Sequence, residues 1–578
     1  MIFVLTVKWS FTINNCYYII TLNLHKYKLL GMVNKLDIRN ISTKMNISDI
    51  KNKGGAMASV LSWLWLISGF ALDIWYQLVP GEWIIDSDLA AEMVLANMLN
   101  HERSILSTNW FYSTELRVFN LQWFYRIGLL IFPDNWTYAR TLAMAFFLIV
   151  VIAALLFLMS ACKMGRYGVW AAAFLIWPFG FWHHFLSTYG GYYFVFPIFS
   201  FLILGIIVLL ADGKYSKIKK ILLIFTGGAL SLASGLNGPR QIMSFFAPLC
   251  LAVIATLYID IKKETITKWK FVKTKKSEKF NYIAYSYLFA LFSIIGYMIN
   301  TGILHKIYTF KSQSDIGWQT NVRSLIDIFI DFIQLFGFRE GVGVFSFDGI
   351  ASALGFAVGI FIVFSIIRLC KNYSHLSQCG QLLLVLSITA IVVMGMTFCY
   401  MNNEYSPNYW LPILPFGIIL ICLELKTDVF NLTGMKNVLT IVVSVCIIIS
   451  SISTVKLAIE KPFRGSKELY DVAMWLEECN YDKGIADFWN SQCITEMTNG
   501  KIEMWTLRYP DDTKFYPWLQ DKSHAYAPEG KVFVLLYGVA DRTKENEIVV
   551  RGNGTLVYGD DSYSVYELED VSWMGKQK

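Results

Sequence analysis

The sequence predicts an α-helical membrane protein of many spans that carries a soluble α/β domain at its C-terminal end. The chain has 578 residues, of which 55% are hydrophobic and only 16% are charged, and its mean hydropathy is +0.46. The apolar residues fall in blocks of about 20, the length at which a helix crosses the hydrocarbon core of a bilayer. From about residue 458 onward, these blocks give way to polar sequence with short alternating runs.

The first 56 residues differ in composition from the rest of the chain. They are rich in Asn, Lys, Ile and Tyr, and their apolar run Tyr17–Leu22 is too short to span a membrane. The peptide Lys53-Gly54-Gly55-Ala56 could be encoded by a purine-rich ribosome-binding sequence, and Met57 leads directly into Trp63–Ile67, which is typical of an uncleaved signal anchor. We therefore expect a bacterial chain that begins at Met57, with residues 1–56 as a non-native or disordered extension.

Residues 57–457 are predicted to form the transmembrane domain, with about eleven spans. The predicted spans are Ala58–Val79, Thr141–Ser160, Val169–Phe185, Tyr192–Ala211, Ile221–Ala233, Ile242–Ile261, Tyr282–Ile299, Ile350–Leu369, Leu382–Tyr400, Trp410–Leu423 and Val438–Ser453.

The loops between these spans alternate in charge. Lys214–Lys220, Lys262–Lys279 and Arg368–Lys371 are basic, whereas Ser187–Gly191 and Met401–Asn408 contain no Lys or Arg. The positive-inside rule places the basic loops in the cytoplasm, so we predict a cytoplasmic N-terminus and an extracytoplasmic C-terminal domain. The net charge of +7 is then an orientation signal, and no nucleic-acid partner is expected.

Two long outer loops remain, at residues 81–139 and 305–349. Loops of this length are usually structured and functional. Leu89–Leu99 is too short to span, and we predict a helix that lies in the outer interface; Leu325–Phe336 has the same character.

Residues 458–578 are predicted to form a soluble α/β domain. Ser466–Glu478 is an amphipathic helix by its periodicity, and Asn499-Gly500 is a tight-turn signal. The predicted strands are Ile485–Trp489, Lys501–Leu507, Val532–Tyr537, Ile548–Val550 and Tyr563–Leu568. A disulfide between Cys479 and Cys493 would fit an oxidising compartment. The domain shows no nucleophile motif or phosphate loop, so binding or scaffolding is its expected role.

Two carboxylates, Asp86 and Asp88, lie just after the first predicted span, in the stretch Ile84–Leu89. They are either part of a helix cap or a reactive centre. In the first case Ser87 or Asp88 caps the helix that begins at Leu89 and contributes about 1 kcal/mol to the stability of that helix.

The first outer loop carries a series of short features in a fixed order. They are Asp86-Ser87-Asp88, Glu92–Met98, Leu121–Tyr125, Phe132-Pro133 and Tyr138–Leu142. This order resembles the first outer loop and second span of GT-C fold glycosyltransferases of the protein mannosyltransferase and aminoarabinose transferase type. A second patch, Ser406–Pro415, is similar to the aromatic, double-proline entry into a late span of those enzymes.

The chain departs from that family in two places. A lysine and proline pair that many relatives carry is replaced around Glu115-Leu116-Arg117, and Asn408 stands where a basic residue is common. The resemblance implies transfer of a sugar from a polyprenyl-phosphate donor to a cell-envelope glycan, lipid or protein acceptor at the outer membrane surface. It also implies Asp86 as general base, with Asp88 orienting the acceptor or serving as one ligand of a divalent cation such as Mg²⁺ or Mn²⁺.

Binding partners for the lipid phosphate must come from the outer side. The predicted substrate-binding residues are Arg140, Arg240, His183, His184 and Tyr409. Each has a simpler explanation, because arginines at span ends often snorkel and paired interfacial histidines are often hydrogen-bonded surface groups.

Two other function classes stay open. A transporter or flippase of a sugar or lipid-linked substrate would also have many spans, although we find neither internal repeats nor ionisable residues in the middle of a span. A non-enzymatic cell-envelope scaffold would use the C-terminal domain for binding alone.

Overall fold

The computed structural model describes residues 47–186, 191–264, 272–310, 317–320, 322–401, 405–427, 433–462, 465–509, 512–538 and 547–575. Contacts within the chain define two units, Met1–Leu61 and Ser62–Lys578. Residues 1–46 of the predicted extension lie outside the described part, a helix begins at Ile47, and the start at Met57 stays a prediction.

The described chain is mostly helical, with eight strands near its outer loops and C-terminal end. In chain order the helices are α1 Ile47–Leu78, α2 Ser87–Glu102, α3 Gln122–Ile131, α4 Trp136–Ala161, α5 Arg166–Ile176, α6 Phe181–His184, α7 Gly191–Ala211, α8 Lys217–Gly235, α9 Ala247–Glu264, α10 Val272–Ile299, α11 His305–Ile307, α12 Leu325–Gln334, α13 Phe347–Lys371, α14 Gln378–Tyr400, α15 Leu414–Lys426, α16 Thr433–Glu460, α17 Lys467–Glu478, α18 Phe488–Met497 and α19 Glu547–Arg551. The strands are β1 Trp110–Tyr112, β2 Thr309–Phe310, β3 Lys483–Asp487, β4 Glu503–Leu507, β5 Gln520–Asp521, β6 Val532–Tyr537, β7 Thr555–Gly559 and β8 Tyr563–Leu568.

Nine helical segments in the described residues are long and apolar enough to cross a membrane. They are Met57–Leu78, Trp136–Ala161, Tyr193–Ala211, Lys217–Gly235, Ile242–Asp260, Lys279–Ile307, Phe347–Lys371, Gln378–Tyr400 and Lys436–Glu460. Each coincides with a predicted span, so the polytopic helical fold class is confirmed.

The other two predicted spans are shorter than expected. α5 has 11 residues and α15 has 13, which gives lengths of about 16 and 20 Å against about 30 Å for the hydrocarbon core. α5 ends where Trp177 adopts an extended backbone ahead of Pro178. Neither helix is long enough to cross the hydrocarbon core alone, so full spans over Val169–Phe185 and Trp410–Leu423 stay predictions.

The first outer loop folds into α2, β1 and α3. α2 does not lie on the surface as predicted, because it packs against α3 on one side and α18 on another. Leu89, Met93, Ala96 and Leu99 are each at most 2% exposed. Protein rather than lipid therefore covers this helix.

The C-terminal region forms a five-stranded sheet with the order β4-β3-β6-β8-β7. β3 pairs parallel to β4 and β6, whereas β8 pairs antiparallel to β6 and β7. With α17 and α18, the sheet gives this region the mixed α/β content that the sequence predicts; its boundary at residue 458 as a separate domain stays a prediction, and we call the region the C-terminal domain. Two predictions inside it are wrong: Ile548–Val550 belongs to helix α19, and the strand at Ile485–Trp489 ends at Asp487, where α18 begins.

A second, three-stranded sheet ties the C-terminal domain to both long outer loops. β1 lies at its centre, parallel to β2 and antiparallel to β5. Phe111 pairs with Thr309 on one side and with Gln520 on the other. Three segments that are distant in sequence therefore meet beside α2.

The predicted disulfide is absent. Cys479 and Cys493 are both free, the first exposed and the second buried. Cys493 instead contacts the first outer loop, because its Sγ lies 3.4 Å from the Ser87 Oγ and 3.4 Å from the Ile85 carbonyl oxygen.

Candidate functional site

The acidic stretch after the first span forms the start of α2. Asp86 has an extended backbone and caps the helix, since its Oδ1 accepts a hydrogen bond of 2.8 Å from the Asp88 backbone N–H. The prediction that Ser87 or Asp88 would be the cap is therefore wrong, because the helix begins at Ser87 and leaves Asp88 in its first turn. Both carboxylates lie at the positive end of the helix dipole, which stabilises their charged forms.

The C-terminal domain covers this stretch. Asp86 is 4% exposed and Ser87 is fully buried, beneath the α18 residue Cys493. Gly465, in the connection to α17, has φ of +75°, and a Cβ there would lie 2.6 Å from the Ile85 nitrogen. A side chain at this position would collide with backbone, so the close approach of the two segments requires glycine.

Arg140, a predicted substrate ligand, lies in a buried ion pair with this domain. Its Nη1 is 2.7 Å from the Glu496 Oε1, and both side chains are 1% exposed. Its Nη2 donates a hydrogen bond to the Gly81 carbonyl oxygen. Burial raises the pKa of Glu496, and the guanidinium opposes that shift. Arg140 thus joins α4, α18 and the loop that leads to Asp86, and phosphate binding by this residue stays a prediction.

His183 and His184 lie in the short helix α6, outside the nine spans. The His183 ring stacks on Phe179 at a centroid distance of 4.1 Å, and the His184 ring meets the edge of Tyr76 at 4.3 Å. Burial lowers the pKa of both imidazoles to about 3. Burial therefore favours the uncharged form of both rings, and phosphate binding by His183 and His184 stays a prediction.

Arg240, another predicted ligand, belongs to a compact ionic cluster. Its Nε lies 3.0 Å from one oxygen of Glu115 and 3.1 Å from the other. The same carboxylate lies 3.6 Å from the Nε of Arg117. The side chain of Arg240 is 30% exposed, against 10% for Arg117 and 17% for Glu115. We call Glu115, Arg117 and Arg240 the arginine cluster; it opens to the surface at Arg240.

Two tyrosines flank the arginine cluster. The Arg240 guanidinium carbon lies 5.6 Å from the ring centroid of Tyr193 and 5.8 Å from that of Tyr409. Asn408 donates a hydrogen bond of 3.2 Å to the Tyr193 hydroxyl. The structure therefore brings together Arg240 and Tyr409, which were both predicted as substrate ligands and are 169 residues apart in the sequence.

Buried amides hold the arginine cluster in place. The Asn237 side chain accepts from the Phe119 N–H at 2.8 Å and donates to the Phe119 carbonyl oxygen at 2.7 Å. Asn300 donates to the Leu116 carbonyl oxygen at 2.8 Å. A π-helical turn, Ile242–Phe246, begins two residues after Arg240; such turns occur frequently at functional sites.

The acidic stretch and the arginine cluster are connected through the first outer loop. Asn120 donates a 3.3 Å hydrogen bond to Glu92, which lies one turn after Asp88 on α2. Asn120 directly follows Phe119, which Asn237 binds. A short path of hydrogen-bonded residues thus joins the Asp86 helix to the segment that carries Arg240.

The described residues contain no group of three or more His, Cys, Asp or Glu side chains that could hold a metal ion. Asp86 and Asp88 offer two carboxylates, and one oxygen of Asp86 is already used by the helix cap. One or two carboxylates are the usual protein ligands of Mg²⁺, which completes its coordination with water and substrate phosphate oxygens, so the pair fits such a cation only together with those ligands.

Sequence reasoning missed several residues of this region. Glu115 and Arg117 were noted only as a departure from a family pattern, while Tyr193 and Glu496 were not singled out. The charged run Glu115-Leu116-Arg117 in an outer loop is the one local sign of an ionic site. The partner of Glu115, however, is Arg240, which is 125 residues away. No local pattern reports such a contact.

The fold has known counterparts among solved structures. ArnT, an aminoarabinose transferase from Cupriavidus metallidurans solved with undecaprenyl phosphate, superposes with a TM-score of 0.54 and 11% identity over 89% of this chain and 99% of that one. The Archaeoglobus fulgidus oligosaccharyltransferase, solved in a complex with Zn and sulfate, superposes with a TM-score of 0.47 and 12% identity. This superposition covers 82% of the present chain and 67% of the oligosaccharyltransferase. No protein-family model and no curated protein matches the sequence. The chain has the GT-C fold, as the resemblance in the first outer loop implied.

Proposed function

We propose that this protein is a membrane glycosyltransferase that moves a sugar from a polyprenyl-phosphate donor to an acceptor at the outer face of the membrane. The observation that carries the proposal is the arginine cluster, in which the guanidiniums of Arg117 and Arg240 share one carboxylate and that of Arg240 lies beside two tyrosines. Guanidinium groups bind phosphate through paired, charge-assisted hydrogen bonds. The GT-C fold supports this assignment, since ArnT shares it and was solved with undecaprenyl phosphate.

In this reaction the acceptor oxygen attacks the anomeric carbon of the donor sugar. Asp86 takes the acceptor proton as general base. The bond between the anomeric carbon and the phosphate oxygen breaks, and its electron pair stays on the phosphate. Arg117 and Arg240 stabilise the charge that develops there. The cap contact fixes the position of the Asp86 carboxylate through Oδ1, so capping and catalysis are compatible in one residue.

Asp88 orients the acceptor in this proposal. It lies in the first turn of α2 and is half-buried, on the side where the C-terminal domain meets the outer loop. The acceptor is a cell-envelope glycan, lipid or protein. Asp88 would also serve as one ligand of a divalent cation such as Mg²⁺ or Mn²⁺, with water and the donor phosphate completing the coordination; no step of the mechanism is assigned to that ion.

The decisive experiment measures sugar transfer by purified protein supplied with a panel of radiolabelled polyprenyl-phosphate sugars, scored as release of polyprenyl phosphate. Asp86→Asn keeps the helix cap, because asparagine caps helices as well as aspartate does, but it removes the base. We expect transfer to fall by about 100-fold or more.

Asp487→Asn is the matched control. Asp487 caps α18 in the same manner, with Oδ1 accepting from the N–H groups of Trp489 and Asn490 at 2.8 and 3.1 Å. This variant should retain transfer. Unchanged activity in Asp86→Asn would reject the assigned base, and release of polyprenyl phosphate from none of the donors by the unmodified protein would reject the proposed function.

A further inference from the structure

Glu115 is the one carboxylate in the arginine cluster. Its two oxygens lie 3.0 and 3.1 Å from the Arg240 Nε, and it also pairs with Arg117 at 3.6 Å. A carboxylate that forms ion pairs with two guanidiniums occupies the position that a bound phosphate would otherwise take. Its presence therefore changes both the space and the charge available to a ligand.

The charge of the cluster can be counted from the groups that face it. Arg117 and Arg240 contribute +2 and Glu115 contributes −1, which leaves +1. The rings of Tyr193 and Tyr409 face Arg240 and add no formal charge to this count. A phosphodiester carries one negative charge, whereas a phosphate monoester carries between about −1.5 and −2 at pH 7. The charge of the cluster therefore equals that of a diester in magnitude and is smaller than that of a monoester.

We propose that Glu115 lowers the charge of the phosphate subsite from +2 to +1 and thereby weakens the extra attraction that two unopposed arginines would exert on the more highly charged polyprenyl phosphate that the reaction leaves behind. This inference rests on the proposed function. Sugar transfer breaks the bond between the anomeric carbon and the phosphate oxygen, and the electron pair that stays on that oxygen converts a diester into a monoester in place. Glu115 then repels the product and favours its release.

The alternative is that Glu115 only neutralises two half-buried arginines. In that case its removal would weaken the fold, and it would affect ligands of every charge alike. The two explanations differ in how affinity depends on ligand charge, because only a charge-matching residue separates a monoester from a diester on the same lipid. A pair of probes that differ in this single property therefore distinguishes them.

The test measures equilibrium binding of radiolabelled undecaprenyl phosphate and undecaprenyl methyl phosphate to the purified full chain in detergent, at pH 5.5 and 7.5. The methyl ester keeps one negative charge at both pH values, while the monoester gains its second charge near pH 6. In wild-type protein we expect the affinity for the monoester, relative to the methyl ester, to change by less than about threefold between the two pH values. In Glu115→Gln the cluster carries +2, so this relative affinity should rise by about tenfold.

Two control variants complete the experiment. Glu115→Asp keeps the charge and should behave as wild type. Glu102→Gln removes a carboxylate from the same outer loop, where Glu102 accepts hydrogen bonds from the side chains of Ser107 and Asn109, and it should leave the pH response unchanged.

Several results would overturn the inference. One is a pH response of Glu115→Gln that equals that of wild type. Another is a pH response of Glu115→Asp that equals that of Glu115→Gln. If Glu115→Gln does not fold, the wild-type series alone decides, because a tenfold gain in monoester affinity with rising pH contradicts charge matching. Wild-type protein that binds neither lipid would instead reject the proposed function, which keeps the two failures apart.

Discussion

Arg140 and Arg240, two arginines predicted to bind the donor phosphate, differ in what surrounds them. Arg140 is sealed in an ion pair with Glu496, with 1% of its side chain exposed. Arg240 keeps 30% of its side chain exposed between two tyrosine rings. An exposed guanidinium can reach an incoming ligand, whereas a sealed one can do so only after its partner moves. The structure therefore favours Arg240 for ligand binding and Arg140 for holding the outer loop.

Lysine substitutions should separate these two roles. Arg240→Lys keeps the charge but loses the paired donors, so we expect the Kd for undecaprenyl phosphate to rise by about tenfold with little change in the thermal unfolding midpoint. Arg140→Lys should lower the unfolding midpoint, because lysine cannot reach Glu496 and the Gly81 carbonyl oxygen with the same geometry. Lipid binding and thermal unfolding are measured on both variants. The reverse pattern would contradict the assigned roles.

Single residues were predictable where the signal was local. A helix start near Asp86 was predictable because the residue follows a span and precedes a helical run, although the cap was expected one or two residues later; its role as general base stays a proposal. The contacts of Arg240 with Glu115 and Tyr409 were not predictable, since they join segments more than 100 residues apart. The surroundings of His183 and His184 were not predictable for a related reason: aromatic rings of several elements bury them, which the sequence does not report.

At the scale of elements, α18 acts as a clamp on the first outer loop. Its Cys493 contacts Ser87 and Ile85, and its Glu496 pairs with Arg140, which in turn binds Gly81. Burial also raises the pKa of the Cys493 thiol, so this group is protonated at neutral pH and packs as an apolar residue. The helix therefore fixes the segment that carries Asp86 from both ends.

Removing one partner of the buried pair should loosen this clamp. Glu496→Gln leaves the Arg140 charge buried without its counter-ion, which typically costs about 3–5 kcal/mol. We expect a lower thermal unfolding midpoint and reduced sugar transfer, because the Asp86 segment loses its support. The double variant Arg140→Met with Glu496→Met should recover much of the stability, since apolar residues of similar volume often replace a buried ion pair at little cost. An unfolding midpoint unchanged by Glu496→Gln would show that the pair does not hold the loop.

Element prediction succeeded where composition alone decides. Nine apolar blocks became long helices, because an apolar stretch near 20 residues has few other stable states in a bilayer. It failed where tertiary contacts decide. Ile548–Val550 has strand-like residues but lies in α19, and α2 is covered by α18 rather than by lipid. Short elements carry weak local preferences, so their neighbours determine the outcome.

At the scale of the whole molecule, the C-terminal domain takes part in building the outer loops. The small sheet β2-β1-β5 joins both long loops to this domain, and α18 packs on α2 beside it. Binding or scaffolding was the role predicted for the domain from its sequence. The contacts add a positional role next to Asp86, which requires the domain to lie on the same side of the membrane as the proposed site.

The two exposed cysteines of the described residues provide a test of that topology. Cys479 lies in the C-terminal domain, and Cys370 lies at the end of α13, between the basic residues Arg368 and Lys371. The positive-inside rule places the first outside and the second inside. A membrane-impermeant maleimide applied to spheroplasts should therefore label Cys479 before lysis and Cys370 only after it, with Cys479→Ser and Cys370→Ser variants identifying each signal. Labelling of Cys370 before lysis would invert the topology and place Asp86 on the cytoplasmic side, where the proposed outer-face reaction could not occur.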